Sequence, residues 1–472
     1  MGYAFSGTGL IMQATLKRYY GRVTRERTTD WILVSVVLLL TVLGLLMAYS
    51  TTYFWSYSTE GNPLAIFGRQ LGWAVLGLSL FTAASLLDYG HLRRCAVPAM
   101  LITLLVLIAV RLFGDDVFGA RRSLFSGSVQ PSEPTKLVVV LYAAAWLASR
   151  RDEVKSISGG LLPFGAIIGI VGFLIVIQPD LSTTFVIVIT ALAMFFMANA
   201  SLAQIGLVGL VATTAFTLLI TFFPHSADRI EMFKQVFRDP AGQQVDYHIR
   251  QLTLTLGGAG LFGHGIGASY QKFNILPTPH TDSVLAVLAD EMGLLGLLVS
   301  IALFGLFTWR GFMVAQRATT PFGAFMAIGI TVWVSIQTLM NLLSVLSMIP
   351  FTGVPVPFLS VGGSSLVSLL IACGVLVSIS RGSRVDHDTD DGDQEQPERS
   401  GIVSKIRQHG ANAFHSSAAF GRRNSRTRAA RPHRAERFES HGAFDKDIRF
   451  SARLKRSAPR RNAGRSSVRW RG

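Results

Sequence analysis

The charged and small polar residues that interrupt an otherwise apolar chain fall in four short segments. The first runs Gly119-Ala120-Arg121-Arg122-Ser123-Leu124, then Gln130-Pro131-Ser132-Glu133-Pro134-Thr135-Lys136. Glu133 and Lys136 are three apart, so a helix would set them on one face. Two readings stay open. The pair can ease a polar helix end into a membrane, or the cations can form an anion clamp. In a clamp, arginine forks match phosphate oxygens and lysine adds a point charge.

The second segment is Gln178-Pro179-Asp180-Leu181-Ser182. Proline breaks one helix, and Asp180 is placed to cap the next through the orphan N–H groups of its first turn. The third runs from Gly257-Gly258-Ala259-Gly260-Leu261-Phe262-Gly263-His264-Gly265-Ile266-Gly267 to Leu276-Pro277-Thr278-Pro279-His280-Thr281-Asp282. No strand–helix unit surrounds these glycines, which argues against a dinucleotide fingerprint. They suit close backbone packing or approach to a ligand. Asp282 opens a hydrophobic run, either as a helix cap or as a functional carboxylate. Asp290 and Glu291 lie deeper in that run, where ionisable groups are functional candidates. His225, His248, His264 and His280 lack metal-ligand spacing. The fourth segment is Asn341, then Pro350–Ser365 with three prolines and Pro357-Phe358-Leu359-Ser360-Val361-Gly362-Gly363-Ser364. Such irregular backbone at membrane depth is tolerated where protein buries it or a polar cavity borders it.

What must position these segments is a membrane bundle. The 472 residues are 50% hydrophobic, with a mean hydropathy of +0.42. Runs of about 18 or more apolar residues are long enough to cross a bilayer. Ten spans are expected, at 31–50, 64–86, 96–113, 135–149, 161–178, 183–199, 202–223, 282–308, 322–349 and 364–380. The fold class is therefore an all-α polytopic membrane protein, with a long extracytoplasmic loop (224–281) between helices 7 and 8. Within that loop Ile230, Phe233, Val236 and Phe237 have the spacing of an interfacial helix.

Short basic loops at 91–94, 149–155 and 309–317 all face one side in this topology, which sets both termini in the cytoplasm. No cleavable signal precedes the first span, whose upstream residues carry Lys17, Arg18, Arg22, Arg25 and Arg27. Residues 1–30 read as a cytoplasmic segment, 31–381 as the membrane domain and 382–472 as a disordered basic cytoplasmic tail. Of the formal net charge of +16, residues 381–472 supply +11, from 22 Lys/Arg against 11 Asp/Glu. That tail suits an anionic membrane surface. Nucleic acid is set aside because no folded recognition module accompanies the charge. Cys95 and Cys373 make neither a disulfide framework nor a metal quartet.

Taken in order from 31 to 381, the four segments resemble the SEDS family (shape, elongation, division and sporulation). These are the polytopic peptidoglycan glycan polymerases. The resemblance implies a lipid II glycosyltransferase of the bacterial cytoplasmic membrane. It would transfer hexosyl units, release undecaprenyl diphosphate and work with a class B penicillin-binding protein and other divisome or elongasome proteins. The stretch Gly267-Ala268-Ser269-Tyr270-Gln271-Lys272 is more similar to the cell-division branch (FtsW) than to the elongation branch (RodA).

By the same resemblance Asp282 is the catalytic acid/base. Glu133, Lys136, Arg69, Arg122 and Arg229 belong to the substrate and diphosphate site. Asp180, His280, Asn341, Pro357, Gly362, Gly363 and Ser364 complete the structural motifs. A divalent cation, magnesium or manganese, is the one cofactor it allows, and no metal-ligand cluster announces it. The chain departs from the family pattern at Ser123, Ser128-Val129, Ser182, Ser283 and Val361, which leaves room for altered substrate fit. A lipid-linked precursor flippase and an inactive scaffold for the transpeptidase are the alternatives.

Overall fold

A computed structural model describes residues 29–117, 120–123, 130–151, 153–222, 231–235, 246–273 and 275–382. The expected N-terminal segment (save its last two residues), the basic tail beyond Gly382, Arg229 and His225 lie outside the described residues.

Each expected span falls on one helix. These are α1 (Trp31–Glu60), α2 (Ala65–Leu86), α3 (Gly90–Phe113), α4 (Ser132–Ser149), α5 (Leu162–Val176, entered through a π turn at Ile157–Leu161), α6 (Leu181–Met197) and α7 (Leu202–Phe222). After a further helix, α8 (Tyr247–Gly258), come α9 (Val284–Gln316), α10 (Pro321–Val345) and α11 (Gly363–Arg381). Six of them are long and apolar enough to cross a membrane, and the chain is a multi-pass membrane protein. Between α3 and α4 a two-stranded antiparallel ribbon, Asp115–Val117 with Ala120–Ser123, departs from the all-helical pattern. Residues 231–235 are helical; Ile230, Val236 and Phe237 of the expected interfacial helix lie outside the described residues.

Local chemistry sets the helix ends. Asp30 caps α1 by accepting from Leu33 N at 3.0 Å, and Thr320 caps α10 by accepting from Gly323 N at 3.1 Å with Pro321 following. Such caps satisfy first-turn donors that have no partner inside the helix. Helix α1 runs ten residues past its expected end. Thr51 and Thr52 donate to the Met47 and Ala48 carbonyls, so their hydroxyls are satisfied within the helix and do not end it. It stops at Gly61, which is left-handed at φ 68°.

Helix α10 sits at the centre, packed against α4, α6 and α9, while α11 lies along α2. The core joins Leu40, Met47, Val140, Ala144, Val334 and Leu370. At the end away from the motifs, Arg310 on α9 holds Asp30 at 2.5 and 3.1 Å, tying α9 to the start of α1.

Helix α9 is broken at Gly293, whose φ of 71° and ψ of −173° are not helical. The glycine-rich stretch fills the break. His264 N and Gly265 N donate to the Asp290 and Glu291 carbonyls, both at 2.9 Å. Leu294 N and Leu295 N donate back to the Gly260 and Leu261 carbonyls at 3.0 and 3.2 Å. Backbone groups freed by the break thus find partners at once, as a low-dielectric setting requires. A Cβ on Gly263 would lie 2.3 Å from the Glu291 carbonyl oxygen, and one on Gly293 would lie 2.3 Å from that of Leu261. Of the two uses open to these glycines, close backbone packing is the one that the structure displays here.

Candidate active site

The four segments meet at one end of the bundle in a single hydrogen-bonded array. Asp180 caps α6 through Oδ1, accepting from Thr183 N at 3.1 Å. Its Oδ2 accepts from Gln130 Nε2 and Ser132 Oγ, both at 3.2 Å. Asp180 is thus both the expected cap and the tie between the first and second segments. Gln130 N donates to Ser364 Oγ at 3.2 Å, and Ser182 Oγ donates to the Thr352 carbonyl, which brings in the fourth. Gly362 N donates to Gln70 Oε1 at 3.2 Å, and Gly363 sits against the Trp73 indole. Pro357 is buried, its carbonyl accepting from Leu359 N at 2.9 Å.

The third segment is fixed residue by residue. The His280 carbonyl accepts from Val361 N at 2.9 Å and the Thr281 carbonyl from Ser360 Oγ at 2.6 Å. The Asp282 carbonyl accepts from Asn341 Nδ2 at 2.8 Å. Ser283 Oγ donates to the Pro277 carbonyl at 3.1 Å and lies 3.3 Å from His248 Nε2. Four consecutive residues are pinned while Asp282 itself remains half-buried. Asp282 precedes α9 and does not cap it; Ser283 holds the cap position, without a side-chain cap bond.

Helix α10 supplies a polar stripe at i, i+4 and i+8 for this purpose. Trp333 Nε1 donates to Gln337 Oε1 at 2.8 Å, and Gln337 Nε2 donates to the Pro355 carbonyl at 2.8 Å. One turn on, Asn341 Nδ2 reaches Asp282 and also the Val354 carbonyl at 2.6 Å. The two amides therefore hold the proline-rich segment and the Asp282 turn to one helix.

Glu133 and Lys136 form the expected pair at 2.9 Å, and both are almost fully buried. Lys136 Nζ also donates to Gln337 Oε1 at 3.0 Å and lies 5.4 Å from the Trp333 ring centre. Its ammonium is held between a carboxylate and an amide oxygen and is almost fully buried. In this arrangement the pair fastens α4 to α10.

Arg69 is not brought to that pair. It lies at the surface, 59% exposed, in a two-pronged ion pair with Glu60 at 2.5 and 3.1 Å. Exposed pairs of this kind contribute about 0–1 kcal/mol, so the guanidinium can exchange partners at little cost. Arg122 lies on the second ribbon strand.

His280 stacks on Trp55 at 4.4 Å, and His248 packs on Phe351 at 4.1 Å. Burial holds the His280 imidazole down to about 4 and lowers that of His248, against a smaller opposing effect of Asp246. His280 is therefore neutral near pH 7 and adds no charge beside Asp282.

Asp290 and Glu291 are not free groups within a polar cavity. Asp290 Oδ1 lies 3.0 Å from His264 Nδ1, and Glu291 pairs with Lys272 at 2.8 Å. Lys272 escaped sequence reasoning because its partner lies nineteen residues on, across a turn and a helix start. Among the described residues no group of three or more His, Cys, Asp or Glu is arranged to hold a metal ion.

Comparison with known proteins follows the same span. The family model for cell cycle proteins of the FtsW/RodA/SpoVE type matches residues 30–385. Stage V sporulation protein E of Bacillus subtilis (strain 168) is 35% identical over 365 residues, covering 76% of this chain and 99% of that protein. The probable peptidoglycan glycosyltransferase FtsW of Trichlorobacter lovleyi is 32% identical over 360 residues, covering 75% and 94%. Among solved structures, a chain from work on the structural coordination of polymerization and crosslinking by a peptidoglycan synthase complex superposes with a TM-score of 0.60. It is 26% identical, covering 75% of this chain and 98% of that one.

Proposed function

The chain belongs to the FtsW/RodA/SpoVE family of cell cycle proteins, and from that premise we propose that it is a peptidoglycan glycosyltransferase that polymerises lipid II. The observation that carries the site is the pinning of residues 280–283 by Val361, Ser360, Asn341 and Pro277. A half-buried carboxylate on a backbone hydrogen-bonded at four consecutive residues suits a base that must meet a hydroxyl in one geometry.

In this reading the Asp282 carboxylate takes the proton of an acceptor sugar hydroxyl. The hydroxyl oxygen forms a bond to the anomeric carbon of the donor as the carbon–oxygen bond to diphosphate breaks. Undecaprenyl diphosphate leaves with the electron pair. Arg69, whose exposed pair with Glu60 is easily exchanged, and Arg122 and Arg229 offset the charge that develops there. Lys136 acts from below, keeping α4 and α10 in register through Glu133 and Gln337. A divalent cation, when bound by the diphosphate, would add further charge compensation.

The motif end then faces the outside of the bacterial cytoplasmic membrane, with both termini in the cytoplasm, and a class B penicillin-binding protein cross-links the product. The test is a gel assay for glycan polymer made from lipid II by the reconstituted chain, with and without that partner, across magnesium and chelator. Polymer supports the reading. Absence of polymer under every condition, with lipid movement in a liposome scrambling assay, replaces it with a flippase.

A further inference from the structure

Lys272 and Glu291 make a second buried ion pair that the proposed chemistry does not use. Their side chains are 5% and 0% exposed. Lys272 Nζ has three partners from three parts of the chain: Glu291 Oε1 of α9 at 2.8 Å, Ser50 Oγ of α1 at 2.9 Å and the Gly267 carbonyl at 2.7 Å. Ser50 Oγ donates in turn to Glu291 Oε1 at 2.5 Å. Glu291 Oε2 has no hydrogen-bond partner among the described residues.

The placement is specific. Lys272 lies ten residues before Asp282 and Glu291 nine after it, so the pair closes the loop whose turn carries the aspartate. Between them the loop bonds locally, Leu276 N to the Gln271 carbonyl at 2.8 Å and Ser283 N to the Thr278 carbonyl at 3.3 Å, while Asn341, Ser360 and Val361 hold residues 280–282. The backbone pairing at Gly260–Gly265 fastens the loop's upstream end to α9, and Phe273 and His280 pack on Phe54 and Trp55 of α1. Among the described residues Lys272 is the one whose hydrogen bonds tie the loop's middle to both α1 and α9. Buried ion pairs contribute little net stability, because desolvation offsets their attraction, and in some proteins they serve instead to fix geometry.

We propose that Lys272, Glu291 and Ser50 form a positioning latch that sets the Asp282 turn against α1 and α9. The proposal rests on the assignment of Asp282 as the base. Variants compared in the same lipid II assay are Lys272→Met with Glu291→Leu, Lys272→Arg, and Ser50→Ala as a change too mild to unfold the protein. Folded protein is measured by fluorescence-detected size exclusion, and rates are expressed per folded molecule.

The double apolar variant is expected to insert and melt near wild type, while kcat falls by about tenfold or more and KM shifts by less than about threefold. Lys272→Arg, which keeps the charge, is expected to recover most of kcat, and Ser50→Ala to lower it about threefold. Should the double variant fail to fold, Ser50→Ala alone decides. Wild-type kcat in Ser50→Ala or in a folded double variant overturns the latch, as does activity that only follows the folded fraction. No polymer from wild type overturns the assignment of function instead, so the two failures are distinguishable.

Discussion

Gly293→Ala tests whether the break in α9 is a required seat for the glycine-rich loop. The residue sits at φ 71° and ψ −173°, a region that only glycine occupies readily. Holding alanine there costs about 1–3 kcal/mol. Its Cβ would also fall 2.3 Å from the Leu261 carbonyl oxygen and 2.4 Å from Gly263 N, and both contacts are backbone. The loop must then retreat, straining the four bonds that join 260–265 to 290–295. If two are lost at about 0.5–1.5 kcal/mol each, the total reaches roughly 2–6 kcal/mol. Gly305→Ala in the same helix is the control. A Cβ there meets nothing within 4 Å, and alanine should gain about 0.5–1 kcal/mol in a helix interior. The assay is thermal melting by fluorescence-detected size exclusion, with limited proteolysis of the 259–283 loop. Gly293→Ala should melt several degrees lower and be cut faster, while Gly305→Ala matches or exceeds wild type. Equal melting of both variants would refute the idea that Gly293 is the seat.

Removing the ammonium from the Glu133–Lys136 pair by Lys136→Met strands a buried carboxylate and should cost about 3–5 kcal/mol, read as lost folded yield. Adding Glu133→Leu should restore most of that yield, and failure to do so would show that the pair is not the unit at stake. For pH dependence, an unfolded imidazole titrates near 6.5, whereas burial keeps His280 down to about 4 and lowers His248 as well. Their contribution to stability is complete above pH 6.5 and is lost as pH falls toward 4, since the unfolded chain then binds more protons. Melting temperature should therefore drop between pH 7 and pH 5, less steeply in His280→Gln. An identical slope in that variant would count against the buried neutral imidazole.

Much of the helical frame was readable because each span is a continuous apolar run and some ends have a local signal. Asp180 before α6 is such a signal, and so is the i, i+3 spacing of Glu133 and Lys136. What escaped was long-range or conformational. The pairing of Arg69 with Glu60, nine residues earlier and past a helix end, has no local signal. The Lys272–Glu291 and Asp30–Arg310 pairs join residues that no periodicity relates. The glycines announced close packing without naming the partner, since the partner is a helix break that Gly293 alone makes possible. Helix α8 falls inside the expected 224–281 loop, although Asp246 precedes it and accepts from His248 N at 2.9 Å. That cap was the available cue, and the polar sequence of the helix concealed it.

The most direct test of the central claim is the polymer made by Asp282→Asn, which keeps the size of the side chain and, because Asn341 grips the main chain, the position of the turn. With a class B partner present, wild type is expected to produce long glycan strands from lipid II and the variant none, at equal folded yield and equal partner binding. Strands of normal length and rate from Asp282→Asn would contradict the assignment of Asp282 as the base.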